Sequence, residues 1–586
     1  MEKLAPIFFQ LWLQLTPKRR LQLAGLFFLM IAGAIAELAS LGLVFPFLAI
    51  ITNPENFYAQ VWAQPFVEFL AIKSPSGMLL PITIAFGCAA IFSGAVRLAL
   101  LWLQTSLGNA IGNDLGSEVF RRILYQPYSF HLKQNSSEVV ALLMTKINTV
   151  VNFVITPALI LVTSGFMVFV IVGFLVYINP LMMILACLGF AVIYLSIALS
   201  TKEQLTASGK IISSQQSKVA NTVQEGLGGI RDVLIYGLQE EYSKIFQRAD
   251  LRLRKAFTII TIIGGATRPT IEALGLVVII TISYFMVGNR DTLDLVVPVL
   301  GVLALAAQRI LPLAQQIYLS WSSILGGGSS LFEVMKILQA PIYLPSTARG
   351  SLCFSHEIGI KNLSFRYGPN EPWILKNINL NIPKGICLGI VGPTGGGKST
   401  FLDVIMGLLL PTSGVLSVDN TQITQENLLD FQGSIAHVPQ AIYLSDASIL
   451  ENIAFGIPIE EIERNRVFHA ANCAQISSEI NSWVDGYNTV VGERGVRISG
   501  GQRQRIGVAR ALYRGADILI FDEATSALDE ETERSLIASI HEHYRGVTII
   551  MVAHRLTTLK NCDLLIELKS GGISPINSYE NLARKE

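Results

Sequence analysis

Charge is what this sequence has least of. Asp, Glu, Lys and Arg make up 15% of its 586 residues, against roughly 25% in an average soluble domain. With 51% apolar residues beside them, part of the surface must face something other than water, which excludes an ordinary soluble enzyme for the whole chain. The net charge of +1 gives no overall pull toward nucleic acid, and no basic tail supplies a local one, so no nucleic-acid partner is expected. Cysteine is sparse as well. Cys88, Cys187, Cys353, Cys387, Cys473 and Cys562 have neither Cys-x-x-Cys nor metal-ligand spacing, and read as small buried apolar residues in a reducing compartment. The N-terminus lacks a short apolar stretch with a small-residue cleavage site, and its first apolar run is long enough to be a spanning helix rather than a signal peptide.

What is present divides in two. The first half carries long apolar runs, and a span needs about 20 mostly apolar residues. Six stretches qualify, near residues 21–51, 79–104, 150–177, 181–200, 258–288 and 293–320. Lys18, Arg19 and Arg20 precede the first and place the N-terminus in the cytoplasm. With six spans the C-terminal half is cytoplasmic too. Residues 105–149 and 201–257 carry Arg121, Arg122, Lys133, Lys146, Lys202, Arg231, Arg252, Arg254 and Lys255, on the same side, and both read as polar helix with turn signals inside. Residues 53–77 are unusual: Phe57, Tyr58, Trp62, Phe66 and Phe69 recur among Gln60, Gln64 and Glu68. This is the pattern of a short amphipathic helix, either lying at a membrane interface and gathering lipid or packed over the spans.

Charges inside spans are expensive and therefore informative. Glu37 falls in the first span, Arg97 in the second, Arg268 and Glu272 in the fifth and Arg309 in the sixth. Arg268 and Glu272 are four residues apart and can satisfy each other on one helix face. The other reading is a cavity lined by cations for an anionic head group, because a guanidinium suits phosphate oxygens. Arg309 has no charge three or four residues away and is the strongest candidate for that cavity.

The second half switches to short strands and turns. Gly392-Pro393-Thr394-Gly395-Gly396-Gly397-Lys398-Ser399-Thr400 follows a strand and opens a helix. That is a phosphate-binding loop: glycines let successive backbone N–H groups face a nucleotide's phosphates, Lys398 reaches the outer ones, and the Ser399 hydroxyl is a magnesium ligand. Further along, a buried strand ends in Asp522 and Glu523.

Ile498-Ser499-Gly500-Gly501-Gln502, behind that loop, resembles the signature of the ATP-binding cassette (ABC) family, and the resemblance extends over the chain. It implies that the signature sits on the partner subunit's ATP in a head-to-tail dimer. It implies that Tyr367 stacks on adenine, that Gln440 contacts magnesium and the attacking water, that Asp522 holds magnesium through water and that Glu523 is the general base. Asp529 matches the family's dimer-facing aspartate loop and His554 its switch histidine. Departures are few: Ile498 replaces the usual leucine, and Asn577 and Tyr579 stand where the family has Gly and His. ABC exporters run their spans into the cytoplasm and end them in coupling helices, here expected near residues 126–135 and 225–236.

The expected fold is multidomain: an all-α six-helix transmembrane domain (residues 1–330), a linker (331–355) and an α/β P-loop ATP-binding cassette (356–586). The expected cofactors are ATP and Mg2+. The expected working unit is two copies of this chain, with a heterodimer open, in a bacterial inner membrane. The helix after the first span and the polar positions Glu37, Arg268, Glu272 and Arg309 are similar to those of bacterial lipid-linked oligosaccharide flippases. This points to an ATP-hydrolysing exporter or flippase of a lipid-linked saccharide or similar amphipathic anion. Export of a peptide, lipid or drug is an alternative within transport. An ATP-gated channel is a third reading, opposed by the complete hydrolytic set.

Overall fold

The computed structural model describes residues 4–52, 55, 74–178, 180–287, 293–342, 354–525, 527–553 and 555–576. It divides into two compact units, one of Met1–Tyr125 with Gln134–Ile342, the other of Gln126–Lys133 with Tyr343–Glu586. The aromatic residues Phe57, Trp62 and Phe66, residues 343–353 of the expected linker, His554, Asn577 and Tyr579 lie outside the described residues.

The first unit is helical. A short helix α1 (Leu4–Gln14) precedes α2 (Pro17–Thr52) and α3 (Leu79–Leu124). The small helix α4 (Tyr128–Lys133) belongs to the other unit. A helical run α5 over residues 136–178 follows, then α6 (Pro180–Gly228), α7 (Ile230–Ile235), α8 (Gln239–Val287) and α9 (Leu293–Leu338). Among the described residues, three helices are long and apolar enough to cross a membrane, over Pro17–Ile51, Leu79–Leu124 and Ser136–Tyr177. The other three expected spans fall along α6, α8 and α9. Helix α6 has 49 residues, about 70 Å at the α-helical rise, more than twice a hydrocarbon core of about 30 Å. Its second half is polar sequence, so the helix continues past the lipid. Helix α9 likewise runs unbroken to Leu338, so residues 331–338 extend the last span helix instead of joining the connection to the cassette.

Small residues set how closely these helices approach. A Cβ on Gly108 of α3 would lie 2.3 Å from Thr156 Oγ1, and one on Gly112 would lie 2.4 Å from Val151 Cγ2. Only glycine admits α5 there. Two π-turns, Leu142–Lys146 and Val151–Ile155, interrupt α5. Lys146, at the end of the first, is buried and paired with Glu333 of α9, which also accepts the Ser213 hydroxyl of α6. One carboxylate thus ties three helices together and keeps a buried ammonium compensated.

The second unit is α/β. A four-stranded antiparallel sheet has the order β2 (Leu375–Pro383), β1 (Glu357–Phe365), β4 (Ser413–Val418), β5 (Thr421–Gln422). A six-stranded sheet has the order β10 (Gly572–Ile576), β9 (Leu564–Lys569), β3 (Cys387–Val391), β8 (Thr548–Val552), β7 (Ile518–Asp522), β6 (Ile435–Val438), parallel except for the edge strand β10. Every residue of β3 and of β8 is buried, because a parallel sheet is covered on both faces and its strands read as apolar runs. One core lies against helix α10 (Lys398–Ile405) and includes Phe401, Leu402, Ile520 and Ile550. The other lies against helix α11 (Gly500–Arg514) and includes Ile506, Val508, Leu519 and Phe521.

The cysteines only partly follow the expectation. Cys387 and Cys473 are buried and Cys562 is half-buried, whereas Cys88 is exposed on α3. Cys387 and Cys562 are thiols 3.0 Å apart, sulfur to sulfur. The Cys387 thiol, then burial, holds that of Cys562 well above its ordinary value.

Candidate functional site

The phosphate-binding loop leaves the buried strand β3 and enters α10. Two glycines make that turn possible. Gly392 sits so close to the β9 backbone that a Cβ would meet Leu568 O at 2.2 Å, and Gly397, at φ +96°, caps α10 in a left-handed conformation that side chains rarely adopt. Thr394 and Gly395 are exposed along the loop, as is Ser399, while Lys398 and Thr400 are buried. Lys398 folds back to donate to Gly392 O at 2.7 Å and Pro393 O at 3.2 Å. Its ammonium is therefore held over the loop that would carry the phosphates.

Tyr367, expected on adenine, follows β1. It lies edge-on to Phe365, with ring centroids 5.1 Å apart, and its hydroxyl is 3.1 Å from Thr400 Oγ1 of α10. Tyr128 of α4 packs with Tyr367 and Ile374 against the same core. Burial, then the charge of Asp403, raises the Tyr128 phenol.

The carboxylates stand at the end of β7. The Glu523 N–H donates to Val552 O at 3.0 Å, continuing the ladder to β8, and Glu523 itself adopts φ +51°. A non-glycine residue there stores strain of about 1–3 kcal/mol, of the kind that clusters at functional sites. The Gln440 side-chain amide donates to Glu523 Oε2 at 2.6 Å. Strand ends β6 and β7 thus bring the two expected catalytic residues into direct contact. Asp522 is pushed above the usual carboxylate range by burial and then by the Glu523 charge, against the pull of Lys398. Asp403 of α10, which sequence reasoning missed, is pushed up to about 6 by burial and by Asp522. Its signal in the sequence is a lone acid on a buried face of a helix that opens with a lysine.

This donor set suits magnesium. The Ser399 hydroxyl, the Asp522 carboxylate and the Gln440 amide oxygen are hard oxygen ligands. Carboxyls raised by burial and then by a neighbouring negative charge, as Asp522 and Asp403 are, favour a cation close by.

Ser499 caps the 15-residue helix α11. Its hydroxyl accepts from Gln502 N at 3.2 Å, and Gln502 Oε1 accepts from Ser499 N at 2.8 Å. Ser499 and Gly500 are exposed, Gly501 and Gln502 half-exposed. The helix start is therefore preformed and open, with its positive dipole end outward. Asp529 caps helix α12 (Glu530–His543), accepting from Thr532 N at 3.0 Å, and that hydrogen bond holds its carboxyl below the usual range.

In the membrane unit, three of the five span charges come together. Glu37 of α2 is buried and pairs with Arg97 of α3 and, at 3.2 Å, with Arg309 of α9. Ser93, one helical turn before Arg97, donates to the second Glu37 oxygen at 2.7 Å. Arg309, expected to stand alone because nothing on its own helix faces it, is paired across helices. Glu272 on α8 is exposed, and the side chain of Arg268 lies outside the described residues.

A family model described as ABC transporter matches residues 375–526, and one described as ABC transporter transmembrane region matches residues 41–299. The chain is 28% identical to an ATP-dependent lipid A-core flippase of Ralstonia nicotianae over 85% of this chain and 84% of that one. It is 27% identical to one of Alkalilimnicola ehrlichii, over 89% and 88%. Its fold superposes on a bacterial Atm1-family ABC exporter with ATP bound, at a TM-score of 0.80 and 20% identity, covering 97% of this chain and 96% of that one.

Proposed function

We propose, for a chain that belongs to the ABC transporter family and is an ATPase coupled to transmembrane movement of a substrate, that it flips a lipid with a phosphate-bearing head. Its preferred substrate is a lipid-linked saccharide, moved from the cytoplasmic to the outer side of a bacterial inner membrane. The observation that carries the substrate reading is the Glu37–Arg97–Arg309 cluster: two guanidinium groups on one carboxylate leave a surplus positive charge within the spans. Such charge is tolerated in lipid where it serves an anion or another function. Relatives named for flipping a lipid A-core support a lipid over a peptide.

The working unit in this reading is two copies of the chain. The open start of α11 offers Ser499 and the following backbone N–H groups to phosphates lying on the partner's loop. Around the end of α6 and along α7, Leu227, Leu234, Ile235 and Tyr236 are exposed in the expected coupling region, an apolar tip suited to another protein surface. Lys398 and the loop N–H groups bind the phosphates, while Gln440 holds Glu523. Glu523 takes the proton of the attacking water and turns it toward the γ-phosphorus. Bound magnesium supplies charge neutralisation at the leaving phosphates. ATP favours the closed pair of cassettes, and hydrolysis returns them to the open state.

The test is ATPase activity in liposomes, comparing polyprenyl-pyrophosphate saccharides, phosphorylated glycolipids, neutral lipids and peptides. Stimulation by phosphate-bearing lipids, lost in Arg309→Ala, is the expected outcome. Equal stimulation by neutral lipids and peptides would return the chain to a general exporter.

A further inference from the structure

We propose that Glu37 is an internal counter-ion that competes with the substrate's phosphate for Arg97 and Arg309, and so sets how readily the substrate leaves. The inference rests on the reading of this cluster as the place that receives a phosphate-bearing head.

The cluster is asymmetric. The Glu37 side chain is 1% exposed, that of Arg97 40% and that of Arg309 28%. The carboxylate is therefore the buried anchor, and the guanidinium groups are the accessible part. Both arginines converge on Glu37 Oε1, while Ser93 Oγ holds Oε2 at 2.7 Å. The anchor is fixed from three helices, α2, α3 and α9. A guanidinium carries more N–H donors than one carboxylate oxygen can accept. An arriving phosphate can thus engage both arginines from the open side before either leaves Glu37.

The energetics give this arrangement a purpose. Two arginines in a low-dielectric setting would hold a doubly charged phosphate too tightly to release it. A carboxylate already among them raises the energy of the occupied site by like-charge repulsion. It also recaptures the arginines when the phosphate departs, so the empty site never exposes two uncompensated cations to lipid. A transport site must bind well enough to load and weakly enough to unload. Glu37 adjusts that balance without touching the substrate.

The opposite expectation follows from a purely structural role: removing Glu37 would then splay the arginines and weaken binding. Two substitutions separate the cases. Glu37→Gln keeps the shape and removes the charge. Its half-saturating concentration for stimulation by a polyprenyl-pyrophosphate saccharide in liposomes should fall at least fivefold, with a lower maximal stimulated rate. Ser93→Ala frees Glu37 from its hydroxyl partner and strengthens its hold on the arginines, so the half-saturating concentration should rise at least twofold. A phosphorylated glycolipid should follow the same pattern if the phosphates are what is recognised, and a neutral lipid should not respond to either change.

Arg309→Ala on the same substrate separates this inference from the reading beneath it. If Arg309→Ala leaves stimulation unchanged, the cationic site fails and the counter-ion role with it. If Arg309→Ala raises the half-saturating concentration but Glu37→Gln raises it too, or leaves it alone, the counter-ion role alone is overturned. Should Glu37→Gln fail to fold, judged by thermal melting in detergent, Ser93→Ala decides: no rise in half-saturation overturns the proposal.

Discussion

Glu523→Gln isolates the chemistry from the binding. Glutamine keeps the length of the side chain and can still accept the Gln440 amide proton now donated to Glu523 Oε2 at 2.6 Å, so the contact survives in shape. What disappears is a carboxylate able to take a proton from water. A positioned general base contributes roughly 10²- to 10⁴-fold, or about 3–5 kcal/mol of barrier, and steady-state ATPase activity of the purified protein should fall by that factor. A second consequence comes from the neighbour. Asp522 is raised by burial and then by the Glu523 charge. Removing that charge lets Asp522 ionise at lower pH, so magnesium-dependent ATP binding should persist to lower pH in the variant than in the parent. Nucleotide binding, read by filter retention as pH is lowered from neutrality, measures this directly. Turnover within threefold of the parent would remove Glu523 from its role. An unchanged pH profile of binding would separate Asp522 from it electrostatically.

Three further outcomes are expected. In chains mixed from Lys398→Ala and Ser499→Ala parents, a head-to-tail dimer contains one doubly damaged site and one complete one, so partial recovery of ATPase activity over either parent is expected, and full activity of either parent alone contradicts shared sites. Asp403, raised to about 6, favours its neutral form in the fold, so its contribution is present at low pH and lost as pH rises through about 6. The shift of about two units corresponds to at most about 3 kcal/mol, discounted to about 1–2 kcal/mol for a half-exposed group, and Asp403→Asn should raise the melting temperature at pH 8 and not at pH 4. Glu333→Ala leaves the buried Lys146 ammonium without its carboxylate and should cost about 1–3 kcal/mol; the double variant with Lys146→Met should melt above the single one.

What the sequence makes legible is what lies close together along it. The loop from Gly392 to Ser399 is one turn of chain, and its glycines are demanded by a backbone approach and a left-handed φ that any reading of the run anticipates. Asp522 and Glu523 are adjacent, and Ser499 and Gln502 stand in capping-box spacing. The contacts that decide the membrane cluster are of the other kind. Glu37, Arg97 and Arg309 come from three helices, and no periodicity on α9 announces that Arg309 faces α2. Ser93 carried a usable signal, four residues before Arg97 on the same helix, but a serine in a span has many local backbone partners. Asp403 and Tyr128 were hidden for the same reason. Asp403 takes its character from burial and then from Asp522 on β7, and Tyr128 from burial on a helix that groups with a unit remote from its place in the chain.

The two candidate sites are electrostatic opposites, and this bears on how one could drive the other. At the cassette, Glu523 and Asp403 crowd negative charge around Asp522, which Lys398 only partly offsets, so the arrangement is costly until a cation arrives. In the membrane unit, Arg97 and Arg309 share a single carboxylate, which leaves one positive charge that the proposed anionic head would offset. Ligands that relieve such costs bind one arrangement of the surrounding helices or strands better than another, and only that difference in affinity can shift a conformational equilibrium. A neutral substrate would relieve nothing at Arg97 and Arg309. Its binding should therefore change the ATPase rate less than that of a phosphate-bearing lipid of equal affinity, and comparing the two at matched occupancy tests whether charge relief, and not occupancy alone, carries the signal to the cassettes.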